Sequence, residues 1–247
     1  MKSKVLFILH FSPAIHGSAI VGKNIKDSVL INSAFDCKYI NLGTSNKLTD
    51  IGKMETNKLF RYLSILNQVL KHLVSWSPDL VYITITAKGP AFYKDSIVVA
   101  LVKLFKRKIV YHFHNKGVYT RQNKLFDNSL YKFVFNNTQV ILLSKYLYTD
   151  VQKYIPENLV HYCSNGILDK QRGQKEKKGK PEILFLSNLF KTKGILILLE
   201  ACKILVNKGL DFHCTVVGRW GDITEQQFHS KLKEESLFTY VSHLTAE

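Results

Sequence analysis

The chain has no long uninterrupted hydrophobic run, which excludes a membrane-spanning helix of the usual ~20 residues. Its most apolar N-terminal segment, VLFILHF at 5–11, follows Lys2 and Lys4 as the core of a signal peptide would. It is short, contains His10 and lacks a small-residue cleavage site, so a first β-strand explains it better. We therefore expect a cytoplasmic protein, either soluble or peripheral on the inner face of a membrane.

Cysteine is also scarce. The four cysteines, Cys37, Cys163, Cys202 and Cys214, are widely spaced and form no C-x-x-C pair. This spacing excludes a disulfide framework of closely spaced pairs. It predicts reduced, mostly buried thiols of the kind found in cytosolic proteins.

Acidic residues are outnumbered. The 247 residues include 19 Asp and Glu against 35 Lys and Arg, for a formal charge of +16. Such an excess favours an anionic partner, which could be nucleic acid, an acidic membrane surface or a phosphorylated ligand. Charge alone does not choose among these.

Apolar strand-like runs alternate with amphipathic stretches along the whole chain. The clearest helix is predicted over 55–76, where Leu59, Leu63, Leu66, Leu70 and Leu73 recur at helical spacing. Continuous apolar strands are typical of parallel sheets covered on both faces, so the pattern predicts a doubly wound α/β fold. The predicted strands cover 5–11, 37–42, 80–84, 109–114, 140–143, 159–163, 183–187 and 212–217.

One polar segment interrupts the alternation. Residues 168–181 read LDKQRGQKEKKGKP, which is the composition of a solvated linker. We therefore predict a complete α/β domain over 1–167 and a second domain over 182–247. Because the second stretch supplies only about three strands, where a Rossmann-like sheet uses five or six, we expect that domain to be incomplete.

The first candidate site follows the first strand, in the sequence FSPAIHGS at 11–18. Gly17 permits close backbone approach, and the helix that starts near Ser18 offers free N–H groups to an anion. The alternative is an ordinary strand-to-helix turn.

The second candidate site is YHFHNKG at 111–117. His112 and His114 alternate on one strand and so point to the same side, as a pair of metal ligands would. No third ligand stands nearby at a recognisable spacing. The other interpretation is that His112 is a core residue, while His114, last in the strand, is the functional one.

The third candidate site is SNLFKTKG at 187–194. Lys193 comes directly before a helix predicted over 194–205, so its ammonium group and the free helical N–H groups could bind the same diphosphate. An exposed lysine at a turn is the alternative.

Four segments together resemble the GT-B glycosyltransferases of family 4. Residues 183–205, ILFLSNLFKTKGILILLEACKIL, are similar to the entry of the family's donor domain, where Lys-Gly opens a helix. Residues 140–150 (VILLSKYLYTD) resemble the family's strand and helix late in the acceptor domain, and 160–167 (VHYCSNGI) resemble its stretch before the linker. Residues 216–221 (VVGRWG) resemble the next donor-domain strand and its glycine turn. The resemblance implies a GT-B fold, with a complete N-terminal Rossmann-like domain on the acceptor side and a partial Rossmann-like domain for the nucleotide sugar.

The resemblance also implies roles for individual residues. Gly17, Asn188 and Lys193 would bind the donor diphosphate, Gly218 would let the backbone approach the nucleotide, and His114 would be catalytic beside the transferred sugar. The implied reaction is a retaining transfer from a nucleotide sugar to a glycan or lipid-linked acceptor in the synthesis of surface polysaccharide or lipopolysaccharide.

We expect that transfer to need neither a metal nor a cofactor, since fixed cations and N–H dipoles can stabilise a departing diphosphate. The chain has no Asp-x-Asp motif. It departs from the family in three ways: Asn188 stands where many members have Arg, the N-terminal loop has Gly17 alone where members usually have paired glycines, and the family's later pair of glutamates is absent. We therefore expect a chain truncated within its donor domain. The alternative function is a non-catalytic remnant that binds acceptor or membrane.

A basic and aromatic stretch, 101–134, holds eight Lys or Arg, seven Phe or Tyr and one Asp. Basic residues interleaved with aromatics can bind single-stranded nucleic acid, but most of these aromatics fit core positions. We prefer a patch over 103–132 that meets anionic lipid headgroups or a lipid-diphosphate acceptor, and we expect no nucleic-acid partner. A solvated basic face is the remaining interpretation.

Overall fold

A computed structural model describes residues 1–11, 17–43, 56–166 and 179–244, with side chains in the third helix from residue 59 onwards. The chain divides into two compact units, Met1–Leu168 and Asp169–Glu247, and each is described by itself. Most of the predicted linker, up to residue 178, lies outside the described residues, as do residues 12–16 of the first candidate site.

The first unit alternates strands and helices. Its elements are β1 (Lys4–Leu9), α1 (Gly17–Asp27), α2 (Val29–Ala34), β2 (Asp36–Asn41), α3 (Thr56–Ser75), β3 (Leu80–Ile85), α4 (Gly89–Leu104), β4 (Lys108–Phe113), α5 (Leu125–Phe135), β5 (Gln139–Leu142), α6 (Tyr148–Val151) and β6 (Val160–Tyr162). The six strands form one sheet in the order β2-β1-β3-β4-β5-β6, and every neighbouring pair is parallel.

Both faces of this sheet are covered by helices, which explains why its strands are continuously apolar. In β1, Leu6 and Ile8 join the main core, together with residues of α3, α4 and α5. Val5, Phe7 and Leu9 alternate with them and form a second core with α1 and α2. The predicted doubly wound α/β fold is therefore confirmed.

The apolar stripe predicted for α3 is wrong at three positions. Leu59, Leu63 and Leu70 are exposed, whereas the side chains that enter the core are Tyr62, Ile65, Val69 and Leu73. The helix carries two neighbouring apolar stripes, and periodicity alone does not say which of them faces the sheet. One stripe of α3 is left on the surface.

The basic residues between 103 and 108 are divided among the end of α4, a turn and the start of β4. The helix ends at Leu104, so only Lys103 lies in its last turn. Lys106 adopts a left-handed conformation with φ of 53°, and Lys108 is the first residue of β4. The middle of this basic segment, at Lys106, therefore lies in a tight turn.

The second unit contains β7 (Glu182–Leu186), α7 (Ile195–Asn207), β8 (His213–Val217), α8 (Glu225–Glu234) and β9 (Val241–Leu244). Its three strands are parallel in the order β7-β8-β9. Leu199 and Phe228 pack from the two helices onto one face of the sheet. On the opposite face Leu184 and Leu186 remain exposed.

All four cysteines are free thiols. Cys202 and Cys214 lie in the core of the second unit, but Cys163 is exposed, so burial was predicted correctly for only part of the set. Separately, none of the helices within the described ranges is both long enough and apolar enough to cross a membrane.

Candidate functional site

The carboxyl ends of β1, β3 and β4 share one edge of the first sheet, where parallel α/β sheets bind their ligands. Gly17 is the first residue of α1, and a Cβ placed there would meet no atom within 4 Å. The glycine that packing demands is Gly22, where a Cβ would lie 2.1 Å from the carbonyl oxygen of His10. Gly22 lets α1 approach the end of β1. This requirement is not visible in the sequence because the contact is tertiary.

The loop that follows β3 is held by side-chain to backbone hydrogen bonds to α4 and to the loop that follows β4. The Thr86 N–H donates to Oδ2 of Asp95 at 2.9 Å, and the Ala87 N–H donates to Oδ1 of Asn115 at 3.0 Å. Gly117 adopts φ of 150°, and a Cβ there would lie 2.5 Å from Cδ of Lys88. These contacts fix the backbone on both sides of the sheet edge.

Asp150 anchors the loop that carries His114. Its Oδ2 accepts the N–H groups of Gly117 and Val118 at 2.8 and 3.2 Å, and its Oδ1 accepts the N–H of Tyr119 at 3.0 Å. A carboxylate that satisfies three consecutive backbone donors restrains the loop strongly. The residue lies in α6, more than thirty positions further along the chain.

The two histidines of the second candidate site have different environments. His112 is buried, and its Nδ1 shares a hydrogen bond with the hydroxyl of Tyr82. Burial, with a smaller contribution from His114, lowers the pKa of His112 to about 4, so this side chain is neutral at pH 7. His114 follows the last residue of β4 and is half-buried, with its ring centroid 4.2 Å from that of His112.

The environment of His112 fits the core interpretation. Across residues 1–11, 17–43, 56–166 and 179–244, no three His, Cys, Asp or Glu side chains are grouped as metal ligands would be. His114 is the histidine that stands at the sheet edge with part of its ring accessible.

Asp95 makes the first unit sensitive to pH. Its burial raises the pKa to about 6, so the folded chain holds the proton more tightly than the unfolded chain, whose reference value is 3.8. The contribution of this group to stability therefore falls as the pH rises from about 4 to about 6, by up to about 3 kcal/mol.

We expect Asp95→Asn to remove this pH dependence. Urea unfolding of both proteins, followed through Trp76 fluorescence with Trp220 replaced by Phe, would measure the free energy of unfolding at each pH. Parallel pH profiles for the two proteins would contradict the assignment.

In the second unit the loops after β7 and β8 are paired through their backbones. The Leu189 N–H donates to the carbonyl of Arg219 at 2.9 Å, and the Arg219 N–H donates to Oδ1 of Asn188 at 3.3 Å. Leu189 and Trp220 form an isolated bridge. Asn188, predicted to contact the donor diphosphate, thus holds the neighbouring loop in place.

Gly218 lies where these two loops approach each other most closely. A Cβ on Gly218 would lie 1.9 Å from the carbonyl oxygen of Ser187, and one on Gly221 would lie 2.7 Å from that of Leu189. Both glycines are required by backbone packing within the unit. The nucleotide contact proposed for Gly218 remains a prediction.

Lys193 ends a short 3-10 turn, Lys191–Lys193, which leads into α7. Gly194 follows with φ of 86° and caps the helix without a side-chain hydrogen bond, so no side chain occupies the first N–H groups of α7 from that position. Lys191 is held to the next loop, its N–H donating to Oδ1 of Asp222 at 2.7 Å. Arg219 is exposed on that loop and is a further cation that the sequence analysis did not single out.

The five predicted residues thus fall into two groups. Asn188, Lys193 and Gly218 lie together at the carboxyl edge of the second sheet, and Asn188 and Gly218 belong to its paired loops. Gly17 and His114 belong to the carboxyl side of the first sheet. Their chemical roles remain predictions.

One family model matches part of the chain, mainly its second unit. Residues 168–243 match the family model described as Glycosyl transferases group 1. No curated protein sequence matches the chain.

Solved structures match over nearly the whole chain. A glycosyltransferase from Rickettsia africae is 16% identical, with a TM-score of 0.65, and the match covers 100% of this chain and 69% of that one. The lipopolysaccharide outer core galactosyltransferase WaaB is 12% identical, with a TM-score of 0.66 and coverage of 99% and 68%. Anabaena HepE in complex with UDP-glucose is 15% identical, with a TM-score of 0.62 and coverage of 99% and 69%.

At these identities the structures establish the fold alone. The family model covers the segment that contains the turn Lys191–Lys193 and the paired loops after β7 and β8. Residues 168–243 are therefore similar to glycosyl transferases group 1, and the chain has the fold of the GT-B glycosyltransferases.

Proposed function

We propose that this protein transfers a sugar from a nucleotide-sugar donor to a glycan or lipid-linked acceptor used in cell-surface polysaccharide. In this proposal the region 182–247 binds the donor and the region 1–167 binds the acceptor. A UDP-sugar is the first donor to test, because HepE was crystallised with UDP-glucose.

The observation that carries the proposal is the arrangement at the start of α7. Lys193 precedes a helix whose N-terminal cap, Gly194, supplies no side-chain hydrogen bond to the first N–H groups. Lys191 and Arg219 add positive charge at the same edge of the sheet. Free N–H groups and cations together match a diphosphate, whose negative charge increases as the sugar leaves.

The remaining roles follow from the same reaction. Gly17, at the start of α1, approaches the donor phosphates from the acceptor side, and His114 faces the transferred sugar. Fixed cations stabilise the leaving group without a metal ion, and the sugar keeps its anomeric configuration. Asn188 contributes to the diphosphate site by accepting the hydrogen bond from the backbone N–H of Arg219.

A second candidate function is binding without transfer, in which the chain holds an acceptor or an anionic membrane surface. The charge distribution favours it. The first unit contains 22 Lys and Arg against 9 Asp and Glu, so it carries +13 of the total charge of +16. The patch over 103–132 contributes much of this excess, and a lipid-diphosphate acceptor would satisfy both functions.

Lys193→Ala is expected to weaken binding of UDP by about 10- to 100-fold, because it removes a charge-assisted contact to the diphosphate. Calorimetric titration of UDP and UDP-glucose into the full chain measures the effect. Lys208→Ala is the matched control, since Lys208 is an exposed lysine at the other end of α7.

Equal UDP affinity in the Lys193 variant and the wild type would refute the diphosphate site. Release of UDP from UDP-glucose by the wild-type chain separates the two functions. Turnover supports the transferase, whereas binding of UDP without any turnover supports the non-catalytic alternative.

A further inference from the structure

A polar pair of side chains inside the first unit lies next to His114. Tyr82 on β3 and His112 on β4 point to the same face of the sheet, and the hydroxyl of Tyr82 shares a hydrogen bond with Nδ1 of His112. Their rings meet edge to face, with centroids 5.9 Å apart and an angle of 86° between the planes. Tyr82 also packs against Phe7 of β1, with ring centroids 5.3 Å apart. The pair is therefore anchored to the second core of the unit.

The hydrogen bond between these two side chains has a defined direction. Burial raises the pKa of the Tyr82 hydroxyl far above its usual value, so the hydroxyl keeps its proton. His112 is neutral at pH 7, because burial lowers its pKa to about 4. The hydroxyl therefore donates and Nδ1 accepts, which places the one ring proton of His112 on Nε2.

The N–H group at Nε2 of His112 is not explained by packing. His112 is 4% exposed, and its Nε2 has no hydrogen-bond partner among the residues that the structure describes. A buried donor without a partner costs free energy and calls for an explanation such as a role in a functional site. A phenylalanine, like Phe113 beside it, would fill a similar volume without that cost. Filling the core therefore does not account for an imidazole at this position.

His112 is in contact with His114, two residues further along the chain. The ring centroids are 4.2 Å apart and the planes are tilted by 44°. The backbone of the loop that carries His114 is held separately, by Asn115 and Asp150. The ring of His112, fixed in the core, thus limits the orientations that are open to the ring of His114.

We propose that His112 is a positioning residue for His114, and that Tyr82 holds His112 in one tautomer. This inference rests on the proposed function, in which His114 faces the transferred sugar. A small misplacement of a side chain at a reaction centre lowers the rate strongly, so a rigid support for His114 contributes to turnover.

The kinetic test is a double-mutant cycle on the full chain. Tyr82→Phe and His112→Phe should each lower kcat for the release of UDP from UDP-glucose by about tenfold and leave KM within about threefold of wild type. In the His114→Ala background the same substitutions should lower kcat further by less than about twofold, because they act through His114. A merely structural role would give the same loss of kcat with and without His114.

Tyr154→Phe is the matched control for the loss of a hydroxyl group. Tyr154 belongs to the same unit, and its hydroxyl donates to Oδ1 of Asn128 at 2.8 Å. This variant should keep kcat within about twofold of wild type, since its hydrogen bond lies apart from His114.

The second test needs no turnover. In protein that contains isotope-labelled histidine, long-range proton–nitrogen correlation spectra show which ring nitrogen carries the proton. Wild type should show His112 with its proton on Nε2 and one set of ring signals for His114. Tyr82→Phe should add the second tautomer of His112, and both Tyr82→Phe and His112→Phe should broaden or double the ring signals of His114.

Two results would overturn the inference. One is a set of His114 ring signals that stays unchanged in both variants, and the other is a loss of kcat that persists undiminished in the His114→Ala background. Absence of turnover in the wild type would instead refute the proposed transfer, and the ring signals of His114 would then decide the positioning role by themselves.

Discussion

Gly218→Val is expected to destabilise the second unit by about 3 kcal/mol, which is the upper end of the usual range for overpacked sites, and to abolish binding of UDP. The Cβ would lie 1.9 Å from the carbonyl oxygen of Ser187 and 2.6 Å from its carbon. Both are backbone atoms, so no side-chain rotation relieves the clash. The ends of β7 and β8 would have to separate, which breaks the bond from the Ser187 N–H to Val217.

The two tryptophans allow each unit to be followed separately, because Trp76 belongs to the first and Trp220 to the second. With Trp76 replaced by Phe, urea unfolding followed by Trp220 fluorescence reports the second unit. Thr215→Val is the matched control, since it places the same side chain at a half-buried position of β8, the strand that Gly218 follows. An unchanged unfolding midpoint for Gly218→Val would mean that the two loops are not packed as described.

The strands could be predicted from the sequence because their signal is local. Runs such as VLFILHF and ILFLS are long enough, and rich enough in β-branched and aromatic residues, to be recognised without knowing their neighbours. The predicted strands are present, with ends displaced by one or two residues where helical turns and loops begin. A buried parallel sheet makes this pattern unusually clear.

The orientation of α3 could not be predicted in the same way. Its apolar residues occupy two adjacent stripes, and the sheet covers the one containing Ile65 and Val69. The choice depends on how the helix packs against β2 and β3. The spacing of leucines within the helix carries no information about that packing. For the same reason the sequence did not show that the stripe with Leu59, Leu63 and Leu70 stays exposed.

The site was predictable only in part, and for a related reason. Residues at strand ends, such as His114 and Lys193, are visible because the topology places ligands there. The residues that support them are distant in sequence: Asp150 accepts N–H groups about thirty positions away, and Gly22 is needed only because α1 passes over His10. Arg219 had only a weak signal in the sequence, because it is a cation directly after Gly218, the glycine that follows β8.

His114→Ala is expected to slow the release of UDP from UDP-glucose by at least about 100-fold, because in the proposed role the side chain would stabilise the transition state at the reacting sugar. UDP affinity should stay within about threefold of wild type, since the diphosphate site lies on other residues. Steady-state kinetics together with UDP titration separates the two effects. His161→Ala is the matched control, because His161 is an exposed histidine on β6 that bonds to Gln139.

A loss of activity in this variant is informative only if the loop keeps its shape, and the structure indicates that it does. The loop is anchored through the side chains of Asn115 and Asp150 to backbone N–H groups, so removing the imidazole leaves those bonds in place. The urea midpoint of the first unit should therefore match that of wild type. Full turnover in His114→Ala would remove this residue from the reaction centre, whereas equal losses of turnover and UDP affinity would assign it to donor binding.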